Sequence, residues 1–400
     1  MNKKQSSFKY NTVYIKYMKI SHCIDCKEYK YIEKNGMCRL CANKKTINIG
    51  KNKQQGKNNI EIKINNLYEG LNIIGNESTG KSKMSFHILN QLHDLDYGIF
   101  YISDKKDDIS NIKSNNIKTI NFGYSDGFNI MKVNRNKNDK NYRQEINNIT
   151  KITENLIYNQ ATSNLSVTNK MILDNVLKSI LYLKKEHTII YLYECLVSLN
   201  ERQKVLSETD YNLPKEDYKK SYIKNKALGP EDEISSILHN LIYNKKLMDC
   251  ISNIGSSVNI KNHIENYDTV ICCQDKIRKS KNRFIINSVL SDKIYCEVSM
   301  LNHDMNKGHL LFYDEINNID SNIQEKIRKL ENNLGIINIC NTSNKLQLIN
   351  TNNIIIFRIP SHCSHDSIRQ IKLPKSSLMH LKDYCYVSKI EDRRYRGKIN

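Results

Sequence analysis

The chain has 400 residues, a net charge of +20 and an isoelectric point near 9.3. Its length allows one large domain with a small additional module. No apolar run approaches the roughly 18 residues that a membrane span needs, and the N-terminus has no signal-peptide core. Composition therefore predicts a soluble, cytoplasmic protein, which for a viral source means the host cytoplasm or the virion.

Positive charge is concentrated at the start of the chain. Residues 1–60 hold fourteen Lys and Arg against three Asp and Glu, which accounts for +11 of the net +20. A polyanion, most simply nucleic acid, is the partner that such charge favours. Codon usage in an AT-rich genome is the alternative, because it also fills neutral surface with Lys, Asn and Ile. Residues 1–20 interleave Lys with Tyr, a pattern typical either of an arm that contacts phosphates or of an unstructured start.

Two C-x-x-C pairs separated by eleven residues contain Cys23, Cys26, Cys38 and Cys41. Four thiolates at this spacing predict the closed Cys₄ site of structural Zn²⁺, whose binding would stabilise a unit too small to fold alone. A redox or fortuitous cysteine cluster is the alternative. Residues 1–48 are therefore predicted to be a basic arm with a zinc module that docks on nucleic acid or protein. Polar residues 49–59 are predicted to be a linker.

The most specific pattern lies in residues 71–82, L-N-I-I-G-N-E-S-T-G-K-S. The apolar run predicts a buried strand, the G-x-x-x-x-G-K-S pattern a phosphate-binding loop, and the apolar spacing of residues 83–95 a helix. Backbone N–H groups at a helix N-terminus favour phosphate; Lys81 would reach the β- and γ-phosphates, and the Ser82 hydroxyl would bind Mg²⁺. The predicted nucleotide-binding residues are Gly75, Asn76, Glu77, Ser78, Thr79, Gly80, Lys81 and Ser82.

Strand and helix patterns alternate after this loop. Residues 97–104 and 118–122 predict strands, residues 141–263 a mainly helical insertion, and residues 268–273 another buried strand. Basic residues 276–283 are predicted to be either a solvated loop or a nucleic-acid contact.

Residues 309–318, H-L-L-F-Y-D-E-I-N-N, combine an apolar strand with two adjacent carboxylates. This arrangement fits the Walker B role, in which Asp314 holds Mg²⁺ through water and Glu315 orients or deprotonates the attacking water. A purely structural strand end is the alternative. The glutamate favours hydrolysis over simple nucleotide binding.

Polar residues follow the next predicted strand, residues 335–341. Thr342 and Ser343 are placed to sense the γ-phosphate, with a capping turn as the alternative. Arg328, on the helix before this strand, would reach a neighbouring subunit's nucleotide as an arginine finger, with a solvated helix face as the alternative. The remaining predicted elements are residues 353–359, 376–383 and 384–389.

Together these motifs resemble the HerA/FtsK superfamily of P-loop motors, which includes DNA translocases, type IV secretion ATPases and viral genome-packaging ATPases. Three further elements carry the resemblance, which covers residues 60–390. Residues 102–108 look like the family's D-P-K-G-D element, and residues 127–130 look like its g-x-N-P-l element. Arg328-Lys329 with the strand leading to Ser343 looks like its R-K…G…A-T-Q run. Ser343 stands where that family has glutamine.

The resemblance implies a RecA-like α/β P-loop sheet with a helical insertion over residues 60–400, following the small zinc module. It implies an ATPase that binds ATP and Mg²⁺ between the subunits of a hexameric ring and couples hydrolysis to the movement of double-stranded DNA. Viral genome packaging or mobile-element DNA transfer fits this description, with a capsid portal or a secretion-channel protein as partner. Two alternatives stay open: a zinc-dependent nucleic-acid adaptor with a regulatory or vestigial P-loop, and another P-loop class such as a kinase.

Overall fold

In the computed structural model, the described residues are 19–22, 29–32, 46–52, 59–104, 117–161, 165–183, 185–212, 223–229, 232–255, 258–301, 307–314, 321–330, 333–342, 349, 351, 353–360, 375–390 and 393–399. At residues 19–22, 29–32, 321–322, 328 and 375 the backbone alone is described. The strands of these residues are β1 (Lys19–His22), β2 (Tyr29–Ile32), β3 (Thr46–Asn52), β4 (Asn59–Lys63), β5 (Leu71–Gly75), β6 (Gly98–Ser103), β7 (Ile117–Asn121), β8 (Thr269–Cys273), β9 (His309–Asp314), β10 (Leu334–Asn341), β11 (Ile354–Ile356), β12 (Cys385–Ile390) and β13 (Arg393–Lys398).

Eleven of the described strands form one sheet in the order β7-β8-β6-β9-β10-β5-β11-β12-β13-β3-β4, while β1 and β2 form a separate antiparallel hairpin. Neighbours from β7 to β11 run parallel. Neighbours from β11 to β4 run antiparallel. The parallel half contains β5, β6, β8 and β9, which are buried at every position. Their near-continuous apolar sequences suit parallel strands, because such strands are covered on both faces.

The helices of the described residues are α1 (Ile64–Tyr68), α2 (Lys81–Asp94), α3 (Tyr142–Tyr158), α4 (Val167–Leu181), α5 (Ile189–Val197), α6 (Leu199–Glu208), α7 (Glu233–Ile242), α8 (Lys245–Ile251), α9 (Ile260–Glu265), α10 (Ser280–Met300), α11 (Ser321–Arg328) and α12 (Lys375–Met379). The helices α3 to α9 occupy the chain between β7 and β8, where the sequence predicts a helical insertion. No helix within the described ranges is long and apolar enough to cross a lipid bilayer.

Alternate residues of the central strands pack into two separate cores. Phe100 and Ile102 of β6 join the core that contains α3 to α5 and α10. Ile99 and Tyr101 of the same strand join the core that contains α2. Side chains of a strand point alternately to opposite faces, so α2 covers one face of the sheet and the large helical layer covers the other. The phosphate-loop sequence leads directly into the helix that covers the first face.

The long helix α10 was not predicted from the sequence. Most of its residues are buried, and these include the charged side chains of Asp292, Lys293 and Glu297. A helix that is covered on nearly every side has no polar stripe, so the periodic signal that identifies an amphipathic helix is missing. The predicted basic loop, residues 276–283, runs into the first turn of α10.

The segment predicted as a linker, residues 49–59, departs from that prediction at its start. Residues up to Asn52 belong to β3, which pairs with β13 and β4 in the main sheet. Ile49 is fully buried. The Gln91 side chain of α2 accepts from Asn48 N at 2.8 Å and donates to Asn48 O at 2.7 Å. Polar Asn and Lys residues alternate here with buried Ile, which is a strand pattern that high overall polarity conceals.

Buried ion pairs of Arg135 join the insertion to α10. Arg135 Nη1 lies 2.8 Å from Glu297 Oε2 on α10 and 3.5 Å from Glu145 Oε1 on α3. The backbone N–H groups of Asn134 and Arg135 each donate to Glu145 at 2.9 Å. Arg135, Glu145 and Glu297 are all buried. Charges removed from water depend on such partners to remain ionised, so the arginine balances two carboxylates at once.

Candidate nucleotide-binding site

The strand register brings the two predicted phosphate-handling segments to one edge of the sheet. Gly75, at the end of β5, pairs with Asn341 of β10. Asp314, at the end of β9, pairs with Ile339 of the same β10. All three strands are parallel, and neighbouring strands lie about 4.8 Å apart. The ends of β5 and β9 are therefore separated by one intervening strand, roughly 10 Å at the same edge.

The loop between β5 and α2 is closed on itself by its own side chains. Lys81 Nζ and Thr79 Oγ1 each donate to Asn76 O at 2.8 Å. Gly80 has φ +114°, and Ser78 has φ +59°. Gly80 adopts this conformation without the steric strain that a Cβ would bring. The Lys81 side chain is only 4% exposed, so its ammonium group is held against the loop from which a phosphate would be bound.

Polar contacts connect the start of α2 with Asp314. The Tyr101 hydroxyl donates to Asp314 Oδ2 at 2.8 Å, and the Ser103 hydroxyl donates to the same oxygen at 3.4 Å. Ser85 Oγ lies 3.4 Å from the Tyr101 hydroxyl oxygen and donates to Ser82 O at 2.9 Å. Asp314 is 3% exposed. The predicted Mg²⁺ ligands Ser82 and Asp314 thus belong to one connected polar site.

The end of β10 contacts the first residues of the phosphate loop. Thr342 N donates to Gly75 O at 3.1 Å, and Asn341 Nδ2 donates to Glu77 Oε1 at 3.3 Å. Thr342 Oγ1 is buried and has no hydrogen-bond partner among the residues that the structure describes. Buried hydroxyls are normally hydrogen-bonded. A hydroxyl in this position, next to the loop, fits a site for a phosphate oxygen.

Two segments that the sequence did not assign to the site support the loop from outside. Asn76 N donates to Arg358 O at 2.9 Å, just beyond β11. Tyr384 N donates to Thr79 O at 3.1 Å, just before β12. Lys83 Nζ lies 5.1 Å from the centre of the Tyr384 ring. These residues are far from the loop in sequence, and no local pattern marks them as its neighbours.

The oxygen donors at this site, from Ser82 and Asp314, suit Mg²⁺ that is also bound by a nucleotide. They are too few for a metal ion that is bound by protein side chains alone. Within the described ranges, no group of three or more His, Cys, Asp and Glu is arranged to hold a metal ion. Mg²⁺ is commonly bound by one or two protein oxygens together with phosphate oxygens and water. The carboxylate of Asp314 and the hydroxyl of Ser82 meet that requirement.

Several predicted site residues lie outside the described residues. These are Glu315, Ser343 and the four cysteines Cys23, Cys26, Cys38 and Cys41. Glu315 follows Asp314 directly in the sequence. Arg328 ends α11, where the backbone alone is described.

The two sequence elements that resemble motor motifs have different surroundings. Asp104, at the end of β6, forms an ion pair with Arg283, and residues 105–108 lie outside the described ranges. The second element packs against α8, because Phe128 N donates to Cys250 O and Ile130 N donates to Ile251 O, both at 2.9 Å. This element therefore lies outside the phosphate loop's own contacts.

These features define the P-loop NTPase fold. The sheet is parallel here, a G-x-x-x-x-G-K-S loop follows one strand, and an Asp ends a strand two positions away. Solved structures share this fold over most of their length. The plasmid coupling protein TrwB in complex with the non-hydrolysable GTP analogue GDPNP matches with a TM-score of 0.60 and 10% identity, over 92% of this chain and 92% of that chain.

VirB4 of Thermoanaerobacter pseudethanolicus matches with a TM-score of 0.59 and 12% identity, over 89% of this chain and 96% of that chain. TrwB in complex with ADP and Mg²⁺ matches with a TM-score of 0.58 and 10% identity, over 84% of this chain and 86% of that chain. No protein-family profile and no curated protein sequence matches the chain. The shared feature is therefore the fold: α/β, with a large and mostly parallel sheet.

Proposed function

We propose that the chain is an ATPase of the HerA/FtsK type that hydrolyses ATP to move DNA, in mobile-element DNA transfer. The observation that carries this proposal is the single edge of the sheet at which the Gly75–Ser82 loop, Asp314 and Thr342 meet. TrwB, which shares the fold, is a bacterial conjugative coupling protein and has been solved with ADP and Mg²⁺ and with an ATP analogue. Viral genome packaging uses the same chemistry and is the neighbouring possibility within the class.

The chain's residues divide the work on the nucleotide. The Lys81 ammonium would neutralise charge on the β- and γ-phosphates, and the Thr342 hydroxyl would bond a phosphate oxygen. Ser82 and Asp314 would hold Mg²⁺, which supplies charge neutralisation on the phosphates when bound. Glu315, next in the chain, would orient or deprotonate the attacking water. Ser343 would add a single hydrogen bond near the γ-phosphate.

An assembly of several subunits follows from the same proposal. Arg328 at the end of α11 would stabilise transition-state charge on a neighbour's nucleotide, in a ring of the hexameric kind. The net charge of +20 supports DNA as the substrate of that ring. A secretion-channel protein, or a capsid portal in the packaging variant, is the partner that would receive the DNA.

The proposal is tested by ATP turnover with and without double-stranded DNA. We expect DNA to raise the steady-state rate, because a translocase couples each hydrolysis step to contact with its track. A polyanion without bases, such as heparin, is the control that separates DNA from charge alone. A rate that DNA leaves unchanged would identify a kinase or switch of another P-loop class. Biological function that survives loss of turnover would identify an adaptor with a vestigial loop.

A zinc module at the N-terminus is the second part of the proposal. The supporting observation is the hairpin of β1 and β2, in which His22 pairs with Tyr29. The connection between these strands carries Cys23 and Cys26, the first predicted ligand pair. A C-x-x-C pair of this kind is a usual component of Cys₄ zinc sites.

We expect about one equivalent of zinc per chain, released by a chelator after thiol modification. Cys38→Ser should lose this zinc, because three thiolates hold the ion less tightly than four. Cys340→Ser is the matched control, since that cysteine belongs to β10 and should not change the metal content. Metal analysis of the purified proteins makes the measurement, and an unchanged zinc content in Cys38→Ser would remove the module from the proposal.

A further inference from the structure

A basic and aromatic surface lies beyond the ends of β7 and β8, at the edge of the sheet that carries the phosphate loop. We call it the Tyr124 surface. It consists of Tyr124, Tyr243, Lys245, Lys246, Lys276, Arg278, Lys279 and Lys281. All eight side chains are exposed. The surface includes the basic cluster for which the sequence left a solvated loop and a nucleic-acid contact as alternatives.

The first half of the Tyr124 surface is built by the turn after β7. Phe122 N donates to Cys273 O at 2.9 Å, which fixes the turn to the end of β8. Gly123 has φ +83°, and a Cβ at this position would lie 2.9 Å from the Ile277 side chain. This tight turn brings Tyr124 over the following loop, where its hydroxyl donates to Asp275 Oδ2 at 3.3 Å. Its position is therefore fixed by the fold.

The second half is attached through a pair of asparagines. Asn244 Nδ2 donates to Asn282 Oδ1 at 2.8 Å, and Asn282 Nδ2 donates to Asn244 Oδ1 at 3.2 Å. This exchange holds the start of α8 against the first turn of α10. Tyr243, Lys245 and Lys246 are thereby placed beside the lysines that begin α10.

The cations of this surface are not used to balance carboxylates of the described chain. No ion pair joins Lys245, Lys246, Lys276, Arg278, Lys279 or Lys281 to an acidic side chain of the described residues. Arg283, a few residues further on, differs because it pairs with Asp104. The six cations outnumber the nearby carboxylates of Asp249 and Asp275, so this surface has an excess of positive charge that attracts a polyanion.

The two tyrosines of the surface remain largely exposed. Tyr124 is 49% exposed, and Lys276 Nζ lies 5.3 Å from the centre of its ring. Tyr243 is 76% exposed, and the centre of its ring lies 4.4 Å from that of His239. Aromatic rings supported in this way next to cations are the platforms on which unpaired bases stack.

We propose that the Tyr124 surface binds single-stranded DNA, with phosphates on the lysines and a base stacked on Tyr124. A single strand is specified because the bases of a duplex are already stacked on one another. The inference rests on the proposed DNA motor function and identifies where that motor contacts a strand. The surface also adjoins the hydrolysis site, since Gln274 N donates to Ser103 O at 3.0 Å and Ser103 contacts Asp314.

The test measures binding of a fluorescent oligo(dT) to the full chain by anisotropy, without nucleotide, over a series of salt concentrations. Tyr124→Leu should weaken binding roughly fivefold to a hundredfold, which is the range for loss of one stacked base. Tyr124→Phe keeps the ring and should bind like the wild type. Combined Lys276→Gln, Lys279→Gln and Lys281→Gln should lower the slope of log affinity against log salt by about two, at about 0.7 for each phosphate contact.

A second triple variant controls for general loss of charge. Lys51→Gln, Lys151→Gln and Lys204→Gln remove three exposed lysines from other parts of the chain and should leave the slope near that of the wild type. The proposal for the Tyr124 surface would be rejected if both triple variants lowered the salt slope equally. It would also be rejected if Tyr124→Leu bound oligo(dT) as tightly as the wild type.

ATP turnover of the same preparations distinguishes rejection of the Tyr124 surface from rejection of the proposed motor function. Turnover stimulated by oligo(dT) that is unchanged in Tyr124→Leu and in the first triple variant would reject the surface, while stimulation of the wild type by double-stranded DNA would leave the proposed function standing. A wild type that neither binds DNA nor responds to it would reject both.

Discussion

Lys81→Met is expected to lower the rate of ATP turnover by roughly 10²–10³-fold, the loss typical of removing one preorganised charge-stabilising group. The ammonium group lies 2.8 Å from Asn76 O, inside the loop, and its side chain is buried. Methionine keeps most of the stem that packs there, while it removes the charge that would face the β- and γ-phosphates. Steady-state phosphate release at saturating ATP is the measurement.

Lys83→Met is the matched control for this prediction. Lys83 is two residues after Lys81 on the same helix, but its side chain is exposed and lies over the Tyr384 ring. Its loss should leave turnover close to that of the wild type. Glu315→Gln should separate the two steps of the reaction, because it keeps nucleotide binding while removing the group that orients water. Equal turnover in Lys81→Met and in the wild type would show that the loop is not the site of catalysis.

Arg135→Met is expected to lower the free energy of unfolding by about 3–5 kcal/mol, the loss seen when one partner of a buried ion pair is removed. Glu297 would lose a donor at 2.8 Å and Glu145 one at 3.5 Å. Both carboxylates would stay buried. Glu145 would retain the backbone donors of residues 134 and 135, so the larger share of the loss should arise at Glu297. Urea unfolding followed by circular dichroism provides the measurement.

Two further variants define what this loss means. Arg143→Met removes an exposed arginine from α3 and should change stability by less than about 0.5 kcal/mol. Glu297→Gln in the Arg135→Met background removes a buried negative charge that has lost its arginine partner, and it should recover part of the loss. If Arg135→Met matched Arg143→Met in stability, the buried network would not be a stabilising connection between the insertion and α10.

The phosphate loop and the end of β9 were predictable because their signals are local. Residues 71–82 combine an apolar strand, a loop with two glycines and a helix start in one short pattern. The apolar run before Asp314 gives the position of that carboxylate at a strand end. The ends of β5 and β9 lie one strand apart because of the order of strands in the sheet. Local sequence motifs do not specify that order.

Other parts of the site were not predictable, because their contacts join residues that are far apart in the sequence. Tyr101 bonds Asp314 across two neighbouring strands, and Arg358 and Tyr384 support the loop from distant positions in the chain. Such contacts depend on the assembled sheet and leave no periodic signal. The helix α10 was hidden because burial on most sides removed its polar face. The strand β3 was hidden because its buried isoleucines alternate with strongly polar residues.

Pairing of β3 with β13 has a consequence for synthesis on the ribosome. Asn52 lies opposite Gly397 in this pairing, so one edge of β3 cannot be covered until residue 397 has been translated. During that time the β3–β4 pair offers unpaired backbone groups, the kind of edge at which nascent chains associate wrongly. Lys51 on this edge of β3 is exposed, and repulsion between the Lys51 charges of two chains would oppose the pairing of two such uncovered edges.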